Sequence, residues 1–400
     1  MSARPVQAVI AAGGRGERLR PLTDQWPKPM IEFHGRPFLD YLLDMLAENG
    51  VRRVLLLLGY RADMIMNRYG DAGYRGIEID YAVSPPEIQT GRRAWLVRDQ
   101  FDPTFLFLYC DNYWPMTWSR MWTSYVEGGR PAQLTVYRND DGYSRDNVTV
   151  DEAGRVSQYD RLRRSPGLRG VEIGYAIMDR RVLELLDGSD LAFEEAVYPA
   201  LVERRELGAF VTPHRYYSVG TMARLPDTSA FLEGRPAVIL DRDGVLNERP
   251  PRADYVRFPD ELRWLPQARD ALRLFAESGY RVVVATNQAG IGRGCMSEED
   301  LAVVNAALVR GAADAGGRID AIYHCPHDWD DGCECRKPRP GMLIRAQREL
   351  GLDLTRTVFI GDDERDAEAA AAAGSPSMLV TDERNLLDLA HELLASAKRA

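Results

Sequence analysis

The 400-residue chain has only five cysteines, no excess of positive charge and no long apolar run. Lys and Arg number 51 against 60 Asp and Glu, giving a formal net charge of −9. Nucleic-acid binding usually demands a basic face, so that class of partner is not expected. No apolar stretch approaches the roughly 20 residues that a helix needs to cross a bilayer. The first residues, Met1-Ser-Ala-Arg-Pro5, lead straight into an apolar segment and lack a secretory-signal pattern. Nothing suggests an oxidising compartment, so a disulfide framework is not expected either. The reading is a cytoplasmic protein with neither a membrane nor a nucleic-acid partner. Internal repeats are also missing. The single biased tract, an Ala-rich patch at 367–373 that includes Glu368, reads as helix. A chain of this length predicts two or three domains.

What is present begins with residues 237–247, Ala-Val-Ile-Leu-Asp-Arg-Asp-Gly-Val-Leu-Asn. Four apolar residues predict a buried strand, with Asp241 and Asp243 at its carboxyl end. Side chains on a strand alternate with period two, so both carboxylates can face one site. Gly244 allows a sharp turn and close approach to a ligand. Two neighbouring carboxylates repel unless a cation or a shared proton relieves them. A second strand, Arg281–Ala285, runs into Thr286-Asn287-Gln288, whose hydroxyl and amide groups can hold phosphate oxygens. Lys337 offers a cation to balance a transferring phosphoryl group. A third strand, Thr357–Ile360, ends in Gly361-Asp362-Asp363-Glu364-Arg365-Asp366. These four pieces, in this order, resemble the haloacid dehalogenase superfamily of phosphohydrolases. The resemblance implies that Asp241 attacks phosphorus and forms an aspartyl-phosphate. Asp243 would protonate the leaving oxygen and then activate water. Asp362 would complete an oxygen-rich Mg²⁺ site with Asp241 and the main-chain carbonyl of Asp243.

Three cysteines cluster as Cys-Pro-His-Asp-Trp-Asp-Asp-Gly-Cys-Glu-Cys, residues 325–335. Cys325, His327, Cys333 and Cys335 can make a closed tetrahedral Zn²⁺ site of the structural kind. The spacing departs from zinc fingers, which leaves a metal-free loop or a disulfide as other readings, and His324 could replace His327. Cys110 reads as strand filling, and Cys295 precedes a helix start at Ser297. Together with Thr286–Gly294 and Cys333–Met342, this loop is similar to those of D-glycero-D-manno-heptose-1,7-bisphosphate 7-phosphatases and the related histidinol-phosphate phosphatases. The likeness spans roughly residues 236–385 and favours His327 as the fourth ligand. It implies that zinc stiffens the loop presenting Arg336 and Lys337, and Arg336 suits a second phosphate or sugar hydroxyls. In heptose phosphatases Gly-Asp-Lys is the common last motif; here Asp363 follows Asp362, removing a cation beside the metal.

The first 225 residues read differently. Val6–Ala12 predicts a strand entering the turn Gly13-Gly14-Arg15-Gly16-Glu17-Arg18, whose N–H groups can cradle phosphates. With Pro21-Leu-Thr23 and Pro27-Lys-Pro-Met30 this resembles the sugar-1-phosphate nucleotidyltransferases. The resemblance implies that Gly13, Gly14, Gly16, Arg18 and Lys28 bind a nucleoside triphosphate. Asp111, after the strand 104–110, would bind a second Mg²⁺. The reaction would be attack of a sugar phosphate on the α-phosphorus. Two departures stand out. The usual L-G-T-[GA]-G-A loop, which holds base and sugar, reads Ile88-Gln-Thr-Gly-Arg-Arg-Ala94. The usual metal-binding Asp near the domain end is Ser218, a poor Mg²⁺ ligand. Tyr159–Leu162 is the nearest candidate for the sugar-phosphate segment, and Glu172 with Gly174 for the sugar contact.

Trp114, Trp118 and Trp122 recur every four residues and read as a packed helical stripe. Residues 161–169 read as a solvated loop, and Glu383–Ala400 as an amphipathic helix. Breakers and a short helical piece at 225–236 mark a boundary. The expectation is α/β architecture, with two tandem domains at 1–228 and 236–400, each a mainly parallel sheet flanked by helices. The function expected is bifunctional: hydrolysis of the heptose 7-phosphate, then nucleotidyl transfer to heptose 1-phosphate. The partners are small sugar phosphates and a nucleoside triphosphate, and a homo-oligomer stays open. The rival is a phosphatase of histidinol phosphate whose N-terminal half only binds ligands.

Overall fold

Runs such as Val-Ile-Ala-Ala and Val-Leu-Leu-Leu-Leu are apolar at every position, which suits strands covered on both faces by helices. The computed structural model describes residues 6–251 and 253–397. Residues 1–5, read as lacking a secretory-signal pattern, and residues 398–400 of the expected C-terminal helix lie outside the described residues. The chain divides into two compact units, Met1–Glu233 and Gly234–Ala400.

The first unit is built on seven strands: β1 (Gln7–Ala12), β2 (Arg53–Leu58), β3 (Glu78–Val83), β4 (Thr104–Tyr109), β5 (Ala132–Tyr137), β6 (Val171–Asp179) and β7 (Leu207–Thr212). Their order is β7-β5-β6-β4-β1-β2-β3. Only β6 runs antiparallel to its neighbours, β4 and β5. One core cluster packs on each sheet face, around Phe38, Leu42 and Tyr175 on one side and Phe107, Phe193 and Tyr198 on the other. Of the tryptophan stripe, Trp118 and Trp122 lie on the helix Trp118–Gly128, but Trp114 precedes it. Pro115 explains the difference, because a residue before proline is pushed out of helical conformation. Trp114 is buried against Tyr175 and Phe210 instead.

The second unit carries five parallel strands: β8 (Ala237–Leu240), β9 (Arg281–Asn287), β10 (Ala321–Cys325), β11 (Val358–Gly361) and β12 (Ser377–Leu379). The order β10-β9-β8-β11-β12 places β8 in the centre, where the winding direction reverses. Open α/β sheets bind ligands at the carboxyl ends of strands beside such a switch point. The Ala-rich tract forms the helix Glu364–Ala373, which Asp363 caps by accepting the Arg365 N–H at 3.0 Å. The last helix, Leu386–Ala397, buries Leu386 and Leu389 against the helix Ala268–Glu277.

Phe275 lies at the centre of that packing and is fully buried, whereas Val303 is 53% exposed. Phe275→Ala should cost about 3–5 kcal/mol, and Val303→Ala less than about 0.5 kcal/mol. Denaturant unfolding monitored by circular dichroism checks this; equal losses for both would contradict the assigned core.

Candidate active sites

Strand register assembles the site in the second unit. Leu240 pairs with Val284 on one side and Ile360 on the other, so Asp241, Thr286 and Asp362 emerge along one edge. The strand itself stops at Leu240. Asp243 therefore reaches the site by a tight turn rather than by strand alternation, with Leu246 and Asn247 donating to the Arg242 carbonyl at 2.9 and 3.1 Å. Gly244 sits in that turn at φ 90°, and the Asp362 carboxylate occupies the space a Cβ would need.

Lys337 is buried, and its ammonium lies 2.8 Å from both Asp241 Oδ2 and Asp366 Oδ1 and donates to the Ala285 carbonyl at 3.0 Å. Its backbone is clamped by Asn287. The Lys337 N–H donates to Asn287 Oδ1 at 3.1 Å, and Asn287 Nδ2 donates to the Lys337 carbonyl at 3.2 Å. Asn287, expected to hold phosphate, is thus engaged in orienting Lys337. Thr286 is buried and accepts from Gln288 Nε2 at 3.0 Å, and the same amide donates to Asp243 Oδ2 at 2.9 Å. Asp243 also accepts from Arg242 Nε and a terminal guanidinium nitrogen, at 3.1 and 3.0 Å, and from Asn247 Nδ2 at 2.8 Å.

Ligand oxygens of Asp241, Asp362 and Asp366 fall within 4.8 Å of one another. The Asp243 carboxylate, held by four side-chain donors, is not in this group; at Asp243 the ligand expected is the main-chain carbonyl. Asp366 is the residue that sequence reasoning left unassigned. Its signal was the capping spacing Asp363-x-x-Asp366, which turns an acid back toward the strand end. Asp366 Oδ2 accepts the N–H groups of Asp362 and Asp363 at 3.1 and 3.2 Å. Hard oxygen donors from three carboxylates converge here, so the residues fit a Mg²⁺ ion.

Burial holds the Asp241 carboxyl above the ordinary carboxylate range; Lys337 opposes this, and Asp366 and Asp243 add to it. Burial works against the Lys337 ammonium, but Asp241 and Asp366 outweigh it and hold it above its usual value. Burial likewise raises Asp362, against the Arg249 guanidinium. Over these groups lies a cavity of about 770 Å³ walled by Asp241, Asp243, Thr286, Asn287 and Lys337, with Arg249, Arg336, Arg339 and Arg365. One terminal nitrogen of Arg336 is buried without a hydrogen-bond partner among the described residues.

The cysteine loop starts from Cys325, in register with Asn287. Cys325, His327, Cys333 and Cys335 bring their ligand atoms within 4.8 Å of one another. Neighbouring separations run from 3.2 Å (His327 Nδ1 to Cys335) to 3.6 Å (Cys325 to His327 Nδ1). A tetrahedron with bonds of about 2.3 Å has edges of about 3.8 Å, so the set fits Zn²⁺. His324 turns away to Glu298 at 2.9 Å, and all five cysteines are unbridged. Cys110 is buried at the end of β4 and Cys295 is exposed.

In the first unit β1 lies beside β4, so the glycine loop and Asp111 share one edge. Lys28 Nζ donates to Asp111 Oδ2 at 3.1 Å, and the Asp111 charge raises the lysine's pKa. Gly16 adopts φ 64°, the space above Gly14 is open, and Arg18 is exposed. Ser218 pairs across from Asn112, and its hydroxyl accepts the Gly220 N–H at 3.0 Å. One carboxylate already paired to a lysine, with a hydroxyl beside it, does not by itself make up a Mg²⁺ site. Glu172 accepts the Gly174 N–H at 2.5 Å, and burial, with the Glu194 charge, raises it to about 8. Asp160, in the candidate sugar-phosphate segment, is used to close its own turn, accepting N–H groups from Leu162, Arg164 and Ser165.

The altered 88–94 loop contributes a buried arginine. Arg93 donates to the carbonyls of Ile88, Leu58 and Pro85 at 2.9, 2.6 and 2.8 Å, and to Ser84 Oγ at 2.6 Å. Its guanidinium lies against Gly13 and Gly59, where any Cβ would clash with it. It therefore braces the glycine loop from beneath.

Comparison with known proteins agrees with this division. The nucleotidyl transferase family model matches residues 7–159, and the HAD-hydrolase-like model matches residues 334–396. The D-glycero-beta-D-manno-heptose-1,7-bisphosphate 7-phosphatase of Pseudomonas aeruginosa is 42% identical over 146 residues, 36% of this chain and 81% of that protein. The protein of the same description from Bordetella bronchiseptica is also 42% identical, over 143 residues, 36% of this chain and 79% of that protein. The crystal structure of HddC from Yersinia pseudotuberculosis covers 56% of this chain and 98% of its own, at 22% identity and a TM-score of 0.50, a likeness of fold. The chain thus belongs, through its second unit, to the D-glycero-beta-D-manno-heptose-1,7-bisphosphate 7-phosphatase family of HAD-like hydrolases, joined to a nucleotidyl transferase domain.

Proposed function

We propose that the second unit hydrolyses the 7-phosphate of D-glycero-D-manno-heptose 1,7-bisphosphate and that the first unit transfers a nucleotidyl group to the heptose 1-phosphate. The observation that carries the phosphatase reading is the Asp241–Lys337 pair, buried at 2.8 Å on the floor of an arginine-walled cavity. A carboxylate oxygen of Asp241 attacks phosphorus as the bond to the sugar oxygen breaks, and Asp243 gives that oxygen its proton. Water then attacks the aspartyl-phosphate, Asp243 takes the water's proton, and Asp241 is released. Lys337 and the Thr286 hydroxyl face the developing charge on the phosphoryl oxygens. Arg242, Asn247 and Gln288 hold Asp243 in place, and Asn287 holds Lys337.

Asp241, Asp362 and the main-chain carbonyl of Asp243 would hold Mg²⁺, which supplies positive charge opposite the transferring phosphoryl group. Cys325, His327, Cys333 and Cys335 would hold Zn²⁺, stiffening the loop that leads into Arg336 and Lys337. The arginine-rich wall suits a substrate with two phosphates, and Arg336, which lines it, would take the second. In the first unit the glycine loop and Lys28 would hold the triphosphate. The two activities fit one sequence of reactions, because removing the 7-phosphate leaves the anomeric phosphate that nucleotidyl transfer requires.

A second reading, in which the first unit only binds ligands, is favoured by Ser218 and by Arg93 filling the space beneath the glycine loop. Restoring the missing carboxylate separates the two. Ser218→Asp should increase pyrophosphate release with heptose 1-phosphate, a nucleoside triphosphate and Mg²⁺. Absence of release in both forms, with nucleotide still bound, would support the binding-only reading.

For the phosphatase, Asp241→Asn should lower phosphate release from the bisphosphate by on the order of 10³-fold or more. Retention of a tenth of normal turnover would contradict the nucleophile assignment, and faster release from histidinol phosphate would overturn the heptose assignment. Cys333→Ser should reduce zinc from one ion per chain to near none by elemental analysis and lower the Tm. Unchanged zinc content would show that these four residues are not the ligands.

A further inference from the structure

Along the motif, Asp363 stands where a family cation would be, but the structure sets two arginines beside it, Arg365 from the same motif and Arg249 from another segment. Arg365 grips Asp363 with two nitrogens, at 2.8 and 3.0 Å, and holds its pKa down to about 2. Arg249 arrives from the segment after Asn247, with one terminal nitrogen 2.5 Å from Asp362 Oδ1 and the other 3.7 Å from Asp363 Oδ2. The contact with Asp362 is a close ion pair. The Arg249 side chain is 47% exposed and also walls the cavity, next to Pro250, Pro251 and Tyr255.

Charge accounting shows what this guanidinium does. Asp241, Asp362 and Asp366 converge, and the single charge of Lys337 is shared between the first and last of them, with no contact to Asp362. Asp362 is left to Arg249. A guanidinium on a carboxylate that also suits a divalent cation competes with that cation, and a half-exposed arginine on a loop is free to be displaced. Once displaced, it remains within a cavity whose ligand carries phosphate, and a guanidinium fork matches phosphate oxygens.

We propose that Arg249 is an exchangeable positioning residue: it occupies Asp362 until a divalent cation takes that carboxylate, and it then turns to the phosphate of the substrate. The inference rests on the reading of Asp362 as a cation ligand. It makes metal loading prepare the phosphate site through this chain's own arginine, with Asp363 keeping the displaced guanidinium near.

The test is calorimetric titration of the full chain with Mg²⁺ alone, without substrate, for the unsubstituted protein, Arg249→Gln and Arg365→Gln. Arg249→Gln should bind Mg²⁺ at least fivefold tighter, while Arg365→Gln, which removes equal charge but no contact with Asp362, should change affinity less than twofold. Inorganic phosphate titrated into the Mg²⁺-loaded proteins should bind at least fivefold more weakly to Arg249→Gln. Equal tightening in both variants would reduce Arg249 to general charge and overturn the exchange. Unchanged or weaker Mg²⁺ binding by Arg249→Gln would do the same, as would unchanged phosphate affinity. If the unsubstituted chain bound no Mg²⁺, the reading of Asp362 would fail first, and this inference with it.

Discussion

One buried ammonium holds together the carboxylates at the strand ends of the second unit. Three carboxylates meet where β8 and β11 end, and without Lys337 they would repel in a medium that solvates charge poorly. Lys337 answers two of them at once, at 2.8 Å each. Removing one partner from such a cluster costs about 3–5 kcal/mol, because the remaining charges stay buried. Much of the neighbouring structure fixes where that ammonium points. Asn287 clamps its backbone from both sides, and the Ala285 carbonyl takes a further N–H. The cysteine loop delivers the chain to Arg336 and Lys337 directly after Cys335, so a metal cross-link there would limit how far the lysine can stray.

The first unit uses the same geometry with different chemistry. Its glycine loop and Asp111 also lie at the carboxyl ends of adjacent parallel strands, and a lysine again pairs with the acid. The resemblance ends below the loop. A family position filled by a small residue holds Arg93, whose donors are consumed by the Leu58 carbonyl at the end of β2 and by the Pro85 and Ile88 carbonyls in the loop after β3. That bracing stiffens the loop while occupying space on its inner side, which is why loop shape and transfer activity have to be judged separately here.

Much of this was legible in the sequence because local rules govern it. Apolar runs ending in Gly or Asp gave the strands and the residues at their tips; the clustered cysteines, with the family resemblance choosing His327 over His324, gave the four side chains that the structure gathers. What was not legible depends on contacts across long stretches of chain. Nothing near Asn287 in the sequence says that its amide faces Lys337, fifty residues away. Asp243 reaches the cavity through a turn, not by strand alternation, because β8 ends one residue before Asp241. Trp114 kept helical spacing without being in the helix, since Pro115 overrides periodicity. Asp366 was hidden differently: its capping role reads locally, but its second role, under Lys337, does not.

The replacement of a family lysine by Asp363 shows why a single position is a poor guide to a site's charge. Counted along the motif, the change removes a cation and adds an anion next to the proposed metal ligand. Counted in space, Arg365 neutralises the new carboxylate and Arg249 is drawn in from another segment to lie over both aspartates. The positive charge near Asp362 is therefore kept, but its attachment has moved from a residue fixed beside the strand end to one on a separate, half-exposed loop. A fixed lysine can only make the local potential more positive. A loop arginine can also leave, and the proposed exchange uses that freedom: the cation beside the proposed metal ligand would change partners with a ligand in the cavity.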